Sequence, residues 1–151
     1  MKNLLDTIRN AVRAIIIRDG KVLLLQKTDG SYSLPGGAPD TGESLEDGLQ
    51  RECLEEINTR VQINRLAYVG DYFKPRKSDP PMIRQHVEFL FDCSVSEDYI
   101  AQSGSHPDKR QVDVLWLDLN ELDNQVINPA SLKKCIKQLY EDKPVYIGVM
   151  K

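Results

Sequence analysis

The stretch Leu34–Thr59, LPGGAPDTGESLEDGLQRECLEEINT, leads from a Pro-Gly-Gly turn into a helix that carries three glutamates. Glu52, Glu55 and Glu56 are related as i, i+3 and i+4, so their carboxylates share one face of that helix. Like charges at this spacing destabilise an isolated helix by roughly a few tenths of a kcal/mol per pair. The pattern therefore favours a cation bound at this face, and the alternative interpretation is a solvated acidic surface.

The helix in this stretch has clear ends. Ser44 stands at the N-cap position and Asp47 follows three residues later, which is an S-x-x-D form of the capping box. Asn58 follows the last helical position and tolerates the left-handed conformation that usually selects glycine there. Apolar residues recur every four positions and form the stripe expected to face the core: Leu45, Leu49, Cys53 and Ile57.

The segment before this stretch predicts a β-hairpin over Ala11–Lys27. Two apolar, β-rich runs flank Asp19-Gly20, a dipeptide favoured in the tight turns of hairpins. Both runs are almost continuously apolar, which indicates burial on both faces of a sheet. Residues 3–10 have apolar residues at helical spacing and predict a short helix.

The rest of the chain mixes strands with one further helix. Strands are expected at 32–34, 60–73, 82–95, 112–119 and 145–149, a single turn at 119–122, a loop over Lys74–Pro81 and a last helix at about 130–141. The order favours an α/β (α+β) sandwich with helices on both faces of a mixed central sheet. A length of 151 residues suits a single domain covering 1–151.

Composition limits the function classes. The chain is 40% hydrophobic and 28% charged, and its net charge of −3 gives no support for general binding to nucleic acid or membrane surfaces. No apolar run approaches the roughly 18–20 residues of a membrane span, so a cytoplasmic location is expected. Cys53, Cys93 and Cys135 are widely spaced and lack a CxxC pair, which favours reduced, buried thiols.

The glutamate helix and the glycines before it suggest a chemistry. Mg²⁺ takes oxygen ligands and often bridges one or two carboxylates to substrate phosphates. Gly36, Gly37 and Gly42 let the backbone approach such a site without interference from a Cβ atom. These parts suit metal-assisted attack of water on a phosphoanhydride, with a neighbouring carboxylate that positions or deprotonates the water.

The same residues resemble the box of the Nudix hydrolase family, GX5EX7REUXEEXGU, in which U is a bulky aliphatic residue. The matching positions run from Gly37 through Glu43, Arg51, Glu52, Glu55 and Glu56 to Thr59. Cys53 and Thr59 stand at U positions, and Asn58 replaces a glycine. None of these departures removes a charged element of the box.

The resemblance implies an α/β/α sandwich that uses Mg²⁺, or Mn²⁺ as an alternative, to hydrolyse a nucleoside diphosphate linked to another moiety. By position in the box, Glu52 and Glu56 would be the principal metal ligands, and the Gly36 carbonyl would complete the metal shell. Glu55 would be a third ligand or the group that handles water.

Other roles in the reaction follow less directly from the resemblance. Arg51 and Glu43 belong to the catalytic stretch, and a structural pairing that holds loop and helix together is favoured for them. The general base varies within the family and often lies outside the box. The candidates left open here are Glu52, Glu55, Asp108 and Asp113.

Substrate preference depends on residues outside the box. Pro75 lies sixteen positions after Thr59 (75 − 59), about where the ADP-ribose pyrophosphatase branch has a proline, although an ordinary loop proline explains it equally well. Tyr32 is placed either to stack on a base or to pack in the core. Three basic residues either contact the substrate phosphates or are surface charges exposed to solvent: Lys74, Arg76 and Lys77. His86 and His106 lack partner patterns and are expected to be structural or exposed.

ADP-ribose or a nucleotide sugar is thus the first substrate hypothesis, and a (modified) nucleoside triphosphate is the alternative. A rival from another class is a non-catalytic, nucleotide-sensing Nudix domain, which we expect to lack catalytic glutamates. The family resemblance also makes a homodimer a reasonable expectation.

Overall fold

The computed structural model of the chain describes residues 3–151. Its strands are β1 (Arg9–Arg18), β2 (Lys21–Lys27), β3 (Tyr32–Ser33), β4 (Gly36–Gly37), β5 (Gln62–Arg76), β6 (Met82–Ser94), β7 (Gln111–Asp118) and β8 (Tyr146–Val149). Its helices are α1 (Leu45–Ile57), a 3-10 helix (Leu119–Asn124) and α2 (Leu132–Lys137).

The strands form a mixed sheet in the order β3-β2-β1-β6-β5-β8, with β4 paired to β1 and β7 paired to β2. β1 runs parallel to β6 and β5 runs parallel to β8, whereas β1–β2 and β5–β6 are antiparallel. Helix α1 packs on one face of the sheet, and the 3-10 helix and α2 pack on the other. The predicted α/β/α sandwich is confirmed.

Two apolar cores lie on opposite faces of the sheet. The core under α1, here the α1 core, contains Val12, Ala14, Ile16, Leu23, Leu25, Leu49, Cys53 and Ile57. The core under α2, here the α2 core, contains Ile15, Val22, Leu24, Leu90, Leu132 and Ile136. Successive residues of β1 and β2 enter opposite cores because strand side chains alternate. This alternation explains why both runs of the hairpin are apolar throughout.

The predicted hairpin is confirmed, and its turn lies where the sequence places it. Arg18 pairs with Lys21, which leaves Asp19 and Gly20 as the two turn residues. Both have positive φ angles, 53° and 74°, as a type I′ turn requires. The turn brings two buried strands side by side and so fixes the sheet against which the Gly36–Gly37 strand lies.

The helix predicted over residues 3–10 is wrong. Leu4 forms a parallel bridge with Ile83, and the Leu5 N–H donates to the Ile83 carbonyl at 2.9 Å. β1 has already begun at Arg9. So short a segment is a marginal helix in water, and the backbone of β6 offers it hydrogen-bond partners instead.

The loop predicted over Lys74–Pro81 is too long, because its first three residues belong to β5. Lys74 pairs with Arg84 and Pro75 with Ile83. The β5–β8 register covers only Val69 to Asp71, so this end of β5 lies beyond its second neighbour, where a proline without an N–H is tolerated. Lys74 and Arg76 are therefore held on a strand, whereas Lys77 lies in the loop.

The last helix is shorter than predicted, since α2 ends at Lys137. Beyond it the chain tightens into i→i+3 hydrogen bonds such as that from the Leu139 N–H to the Ile136 carbonyl. The three cysteines are free and buried, as expected. Among the described residues, no helix is both long and apolar enough to cross a bilayer.

Candidate active site

Both ends of α1 are fixed by hydrogen bonds. The Ser44 Oγ accepts a hydrogen bond from the Asp47 N–H at 3.0 Å, and Asn58 adopts the left-handed conformation with φ of 62°. These contacts confirm the predicted caps. The buried residues of α1 include Leu49, Cys53 and Ile57, so the predicted stripe faces the core.

The loop after β6 closes the carboxyl end of α1. The Glu56 carbonyl accepts from the Gly104 N–H at 3.2 Å and from Gln111 Nε2 at 2.9 Å, and the Glu55 carbonyl accepts from the His106 N–H at 3.1 Å. Helix carbonyls without partners inside the helix are thereby satisfied. The glutamates thus stand on a helix whose last turn is tied to a second loop.

The glycine turn forms a short strand beside β1. Gly37 pairs with Val12 and Gly36 with Arg13, and Gly36 has φ of 139°, a conformation that strongly favours glycine. The Gly36 N–H donates to Glu56 Oε1 at 2.8 Å. The backbone of β4 therefore lies in direct contact with the acidic face of α1.

Glu56 is the most buried of the three glutamates, at 4% exposed. Burial raises the pKa of Glu56 to about 8, and the nearby charges of Glu52 and Asp108 add to the shift. The Gly36 N–H and the Arg13 charge act in the opposite direction. A solvated acidic surface does not describe this residue, because its carboxylate is held out of water beside other carboxylates.

Glu52 lies directly under the second glycine of the turn. A Cβ atom on Gly37 would come within 2.7 Å of the Glu52 Cδ and Oε1 atoms. Burial also raises the pKa of Glu52, and the Arg51 charge partly offsets the shift. Glu52 and Glu56 are one helical turn apart, so their carboxylates face the same glycine strand.

The raised pKa of Glu56 predicts a pH dependence of stability in the metal-free protein. Its value changes from 4.5 in the reference state to about 8 in the fold. Between these values the unfolded chain has lost the proton and the folded chain keeps it, so stability should fall as pH rises through this range. Urea unfolding in EDTA at several pH values should show this slope in the wild type and a reduced slope in Glu56→Gln. Parallel curves for the two proteins would contradict the assignment.

Arg51 joins the loop before α1 to the helix. Its Nε and Nη2 atoms donate to the two oxygens of Glu43 at 2.9 and 3.0 Å, and Nη2 also donates to the Ala38 carbonyl at 3.2 Å. Its Nη1 atom lies 3.1 Å from Glu52 Oε1 and 3.4 Å from Glu55 Oε2. Hydrogen bonding to Glu43 raises the pKa of Arg51 and lowers that of Glu43. The structure thus contains the expected loop-to-helix pair.

Arg51→Lys is expected to destabilise the fold by about 1–2 kcal/mol, because lysine cannot reproduce the two parallel bonds to a carboxylate. The pair is partly exposed, so a larger loss is not expected. Urea unfolding of Arg51→Lys beside Arg60→Lys, a change at an exposed arginine, measures the effect. Equal stability of the two variants would show that the paired geometry contributes nothing.

The structure separates the other candidate residues by position. Glu55 is about one-third exposed at the open side of the helix. Asp108 forms an ion pair with Lys27, which outweighs the effect of burial and lowers its pKa, and its charge acts on Glu56. Asp113 is exposed on β7, where its carboxylate accepts from the Val114 N–H.

The candidate substrate residues also differ from one another. Lys74 is exposed as a residue, but desolvation of its ammonium and the Arg13 charge lower its pKa. Arg76 is exposed two positions further along β5. Tyr32 is 8% exposed and belongs to the α2 core, with a bridge to Ile127. Its position corrects the stacking hypothesis in favour of packing, because the ring has little free face.

Sequence reasoning missed a polar group beside the turn, formed by the buried His86 and Glu88 and the partly buried Arg13. Arg13 Nη1 donates to the Gly36 carbonyl at 3.1 Å, and Arg13 Nε donates to Glu88 Oε1 at 3.3 Å. His86 is buried against Glu88, within its expected structural role. The available signal was alternation, because every second residue of β6 near His86 is polar and a strand directs those residues to one face.

A family model described as the NUDIX domain matches residues 7–141. A protein of Bacillus subtilis named uncharacterized Nudix hydrolase YvcI is 28% identical over 124 residues, 82% of this chain and 74% of that protein. An ADP-ribose pyrophosphatase of Methanocaldococcus jannaschii is 36% identical over 81 residues, 51% of this chain and 44% of that protein. Nucleoside triphosphatase NudI of an Enterobacter strain is 26% identical over 134 residues, which are 82% of this chain and 91% of that protein.

Solved structures have the same fold. A UDP-X diphosphatase superposes with a TM-score of 0.73 at 23% identity, covering 94% of this chain and 68% of that one. An ADP-ribose pyrophosphatase of Streptococcus suis superposes with a TM-score of 0.66 at 23% identity, covering 96% of this chain and 100% of that one. Since the family model spans most of the residues, the chain belongs to the Nudix family of hydrolases.

Proposed function

We propose that this protein is a Mg²⁺-dependent hydrolase that cleaves the pyrophosphate bond of a nucleoside diphosphate linked to another moiety, with ADP-ribose or a nucleotide sugar as the preferred class. The carrying observation is the placement of Glu52 and Glu56 beside the Gly36–Gly37 strand, with the pKa of both carboxylates raised by burial. Buried carboxyl groups with a raised pKa favour a nearby cation, because the cation offsets the cost of ionising them.

The donor set fits a hard divalent cation. Within residues 3–151 no three acidic, histidine or cysteine side chains already converge into a complete cage. Glu52 and Glu56 nevertheless both lie against the Gly36–Gly37 strand, and Mg²⁺ commonly binds through one or two carboxylates and keeps several waters. We therefore assign Glu52 and Glu56 as ligands, Glu55 as a third ligand or water-handling group, and the Gly36 carbonyl as a further oxygen. Such a cation would polarise phosphate oxygens and lower the pKa of a bound water.

The remaining residues of the chain would orient the reaction. Arg51 and Glu43 hold the loop on the helix, and through Arg51 they fix the carboxylates of Glu52 and Glu55. Glu55 is the first candidate for accepting a proton from water, because its side chain is the most exposed of the three acids. Asp108 is the second candidate, since its charge reaches Glu56 from the loop that closes α1.

Basic residues on the neighbouring strands support a phosphate-bearing substrate. The Lys74 ammonium lies close to Arg13 and Asp108, and Arg76 follows on the same face of β5. The UDP-X diphosphatase and ADP-ribose pyrophosphatases among the similar proteins support a diphosphate joined to a sugar. The similarity to NudI over 91% of its length supports nucleoside triphosphates as the second candidate.

A substrate panel tests this proposal. Wild-type protein with Mg²⁺ is incubated with ADP-ribose, a UDP-sugar, ATP and dGTP, and products are separated by chromatography. We expect the highest kcat/KM for ADP-ribose or the UDP-sugar, with a nucleoside monophosphate as product. Preference for the triphosphates would favour the second candidate. Binding without turnover of any compound would favour the nucleotide-sensing alternative.

A further inference from the structure

Two buried polar side chains lie beside the partly buried Arg13 on the sheet, outside the box motif. Glu88 is 3% exposed and His86 is 5% exposed, on adjacent same-face positions of β6. Glu88 Oε1 accepts from Arg13 Nε at 3.3 Å, and Glu88 Oε2 lies 3.4 Å from His86 Nδ1. Tyr72 packs edge-on against His86 with ring centroids 6.3 Å apart. Burial of an ion pair rarely adds net stability, so this group calls for another explanation.

Arg13 connects this group to the proposed metal site. Its Nη1 atom donates to the Gly36 carbonyl at 3.1 Å, and the Gly36 N–H in turn donates to Glu56 Oε1 at 2.8 Å. A carbonyl oxygen has two lone pairs and can accept from Arg13 while it also faces a cation. A guanidinium in this position would nevertheless repel a divalent cation, because both are positive.

Glu88 supplies a negative charge beside the Arg13 guanidinium, with Glu88 Oε1 3.3 Å from Arg13 Nε. Burial by itself would raise its pKa, but the charges and hydrogen bonds of Arg13 and His86 outweigh burial and lower the pKa of Glu88. The residue is therefore a carboxylate at neutral pH.

We propose that Glu88 is a positioning residue of the proposed metal site: its charge balances Arg13, which lets a guanidinium hold the Gly36 carbonyl without opposing a divalent cation. This inference rests on the proposed function only in taking Glu52 and Glu56 as cation ligands. Glu88 itself touches neither the cation nor the substrate. Its effect passes through Arg13 and the backbone of β4.

The test is Mn²⁺ binding, measured by electron paramagnetic resonance without nucleotide. Glu88→Gln keeps the size of the side chain and removes its charge, which leaves Arg13 uncompensated. Mn²⁺ affinity is expected to fall by about tenfold or more, the size of effect that outer partners of metal ligands commonly have. Wild-type affinity in a folded Glu88→Gln protein would overturn the proposal.

A double variant separates charge balance from loss of contacts. Arg13→Gln together with Glu88→Gln removes both charges, and removing both partners of a buried pair is less damaging than removing one. If charge balance is what matters, the double variant should bind Mn²⁺ with an affinity within about threefold of wild type. This loss is much smaller than the loss of about tenfold or more expected for Glu88→Gln alone. If contacts alone matter, the double variant binds at least as weakly as Glu88→Gln, and the proposal fails. If Glu88→Gln does not fold, the double variant is compared with wild type: Mn²⁺ affinity within about threefold supports charge balance, and a loss of about tenfold or more overturns the proposal.

Asp92→Asn is the matched control. Asp92 is a buried acid on the same strand, and Asp92 Oδ2 lies 3.4 Å from Arg65 Nε, away from the glycine turn. Its loss should lower stability and leave Mn²⁺ affinity unchanged. Failure of the inference is distinguishable from failure of the proposed function. Mn²⁺ binding by wild type without turnover of any nucleotide would contradict the function alone, whereas absence of Mn²⁺ binding by wild type would overturn both.

Discussion

Glu56→Gln is expected to lower the Mg²⁺-dependent kcat by about a thousandfold, because it removes the charge of the most buried proposed ligand. A cation acting on a phosphoanhydride contributes several kcal/mol to transition-state stabilisation, and about 4 kcal/mol corresponds to three orders of magnitude in rate. The change is nearly isosteric. Steady-state kinetics on the best substrate of the panel measures it.

The same variant should fold normally without metal. Because the pKa of Glu56 is about 8, the residue is largely protonated at pH 7 in the metal-free fold, and glutamine resembles the neutral acid. Its melting temperature in EDTA at pH 7 should equal or exceed that of wild type. Glu46→Gln, a change at an exposed acid in the first turn of α1, is the control and should retain wild-type kcat. Loss of less than about threefold in Glu56→Gln would remove Glu56 from the proposed metal site, since a real ligand contributes far more.

Gly36→Ala is expected to destabilise the protein by more than about 4 kcal/mol or to prevent folding, which is exceptional for one methyl group. Gly36 has φ of 139°, and a Cβ atom there would overlap the Val12 carbonyl oxygen and lie 2.9 Å from Arg13 Cα. Both obstacles are backbone atoms of a buried strand, so they cannot move aside without displacing β1. Urea unfolding monitored by circular dichroism measures the loss.

Gly30→Ala separates the overlap from the unusual backbone angle. Gly30 also has a positive φ, 84°, but no atom lies within 4 Å of a Cβ placed there. Replacing Gly30 by alanine should lower the free energy of unfolding only by the conformational strain, about 1–2 kcal/mol. If the two variants lose the same stability, close packing of β4 on β1 is not what requires glycine at position 36.

Local patterns were sufficient to predict much of the fold. Ser44 and Asn58 act through hydrogen bonds and backbone angles within a few residues, so the ends of α1 are encoded locally. The same holds for the turn at Asp19-Gly20. The box spacing placed Glu52 and Glu56 on one face, and the structure brings both to the glycine strand.

The incorrect predictions have a common physical cause. Leu4 forms a bridge and Lys74–Arg76 form strand pairs because residues of β6 offer them backbone partners, and the local pattern of neither segment contains those partners. Local propensity is overridden where a neighbouring strand offers backbone hydrogen bonds.

The polar group beside the turn could not be predicted for a related reason. Alternation on β6 indicates that His86 and Glu88 share a face, but not that this face is covered. Arg13 lies 75 positions before Glu88, and only the parallel pairing of β1 with β6 brings them together. Tyr32 illustrates the converse, because its position before the turn allowed stacking and the α2 core covers its ring.

Removal and return of the metal test whether the carboxylates of α1 support metal-dependent hydrolysis. Wild-type protein is stripped with EDTA, assayed on its best nucleotide substrate, and assayed again after Mg²⁺ is added in excess. We expect release of nucleoside monophosphate to be absent in EDTA and to return with Mg²⁺. Release that persists at full rate in the stripped protein would contradict it.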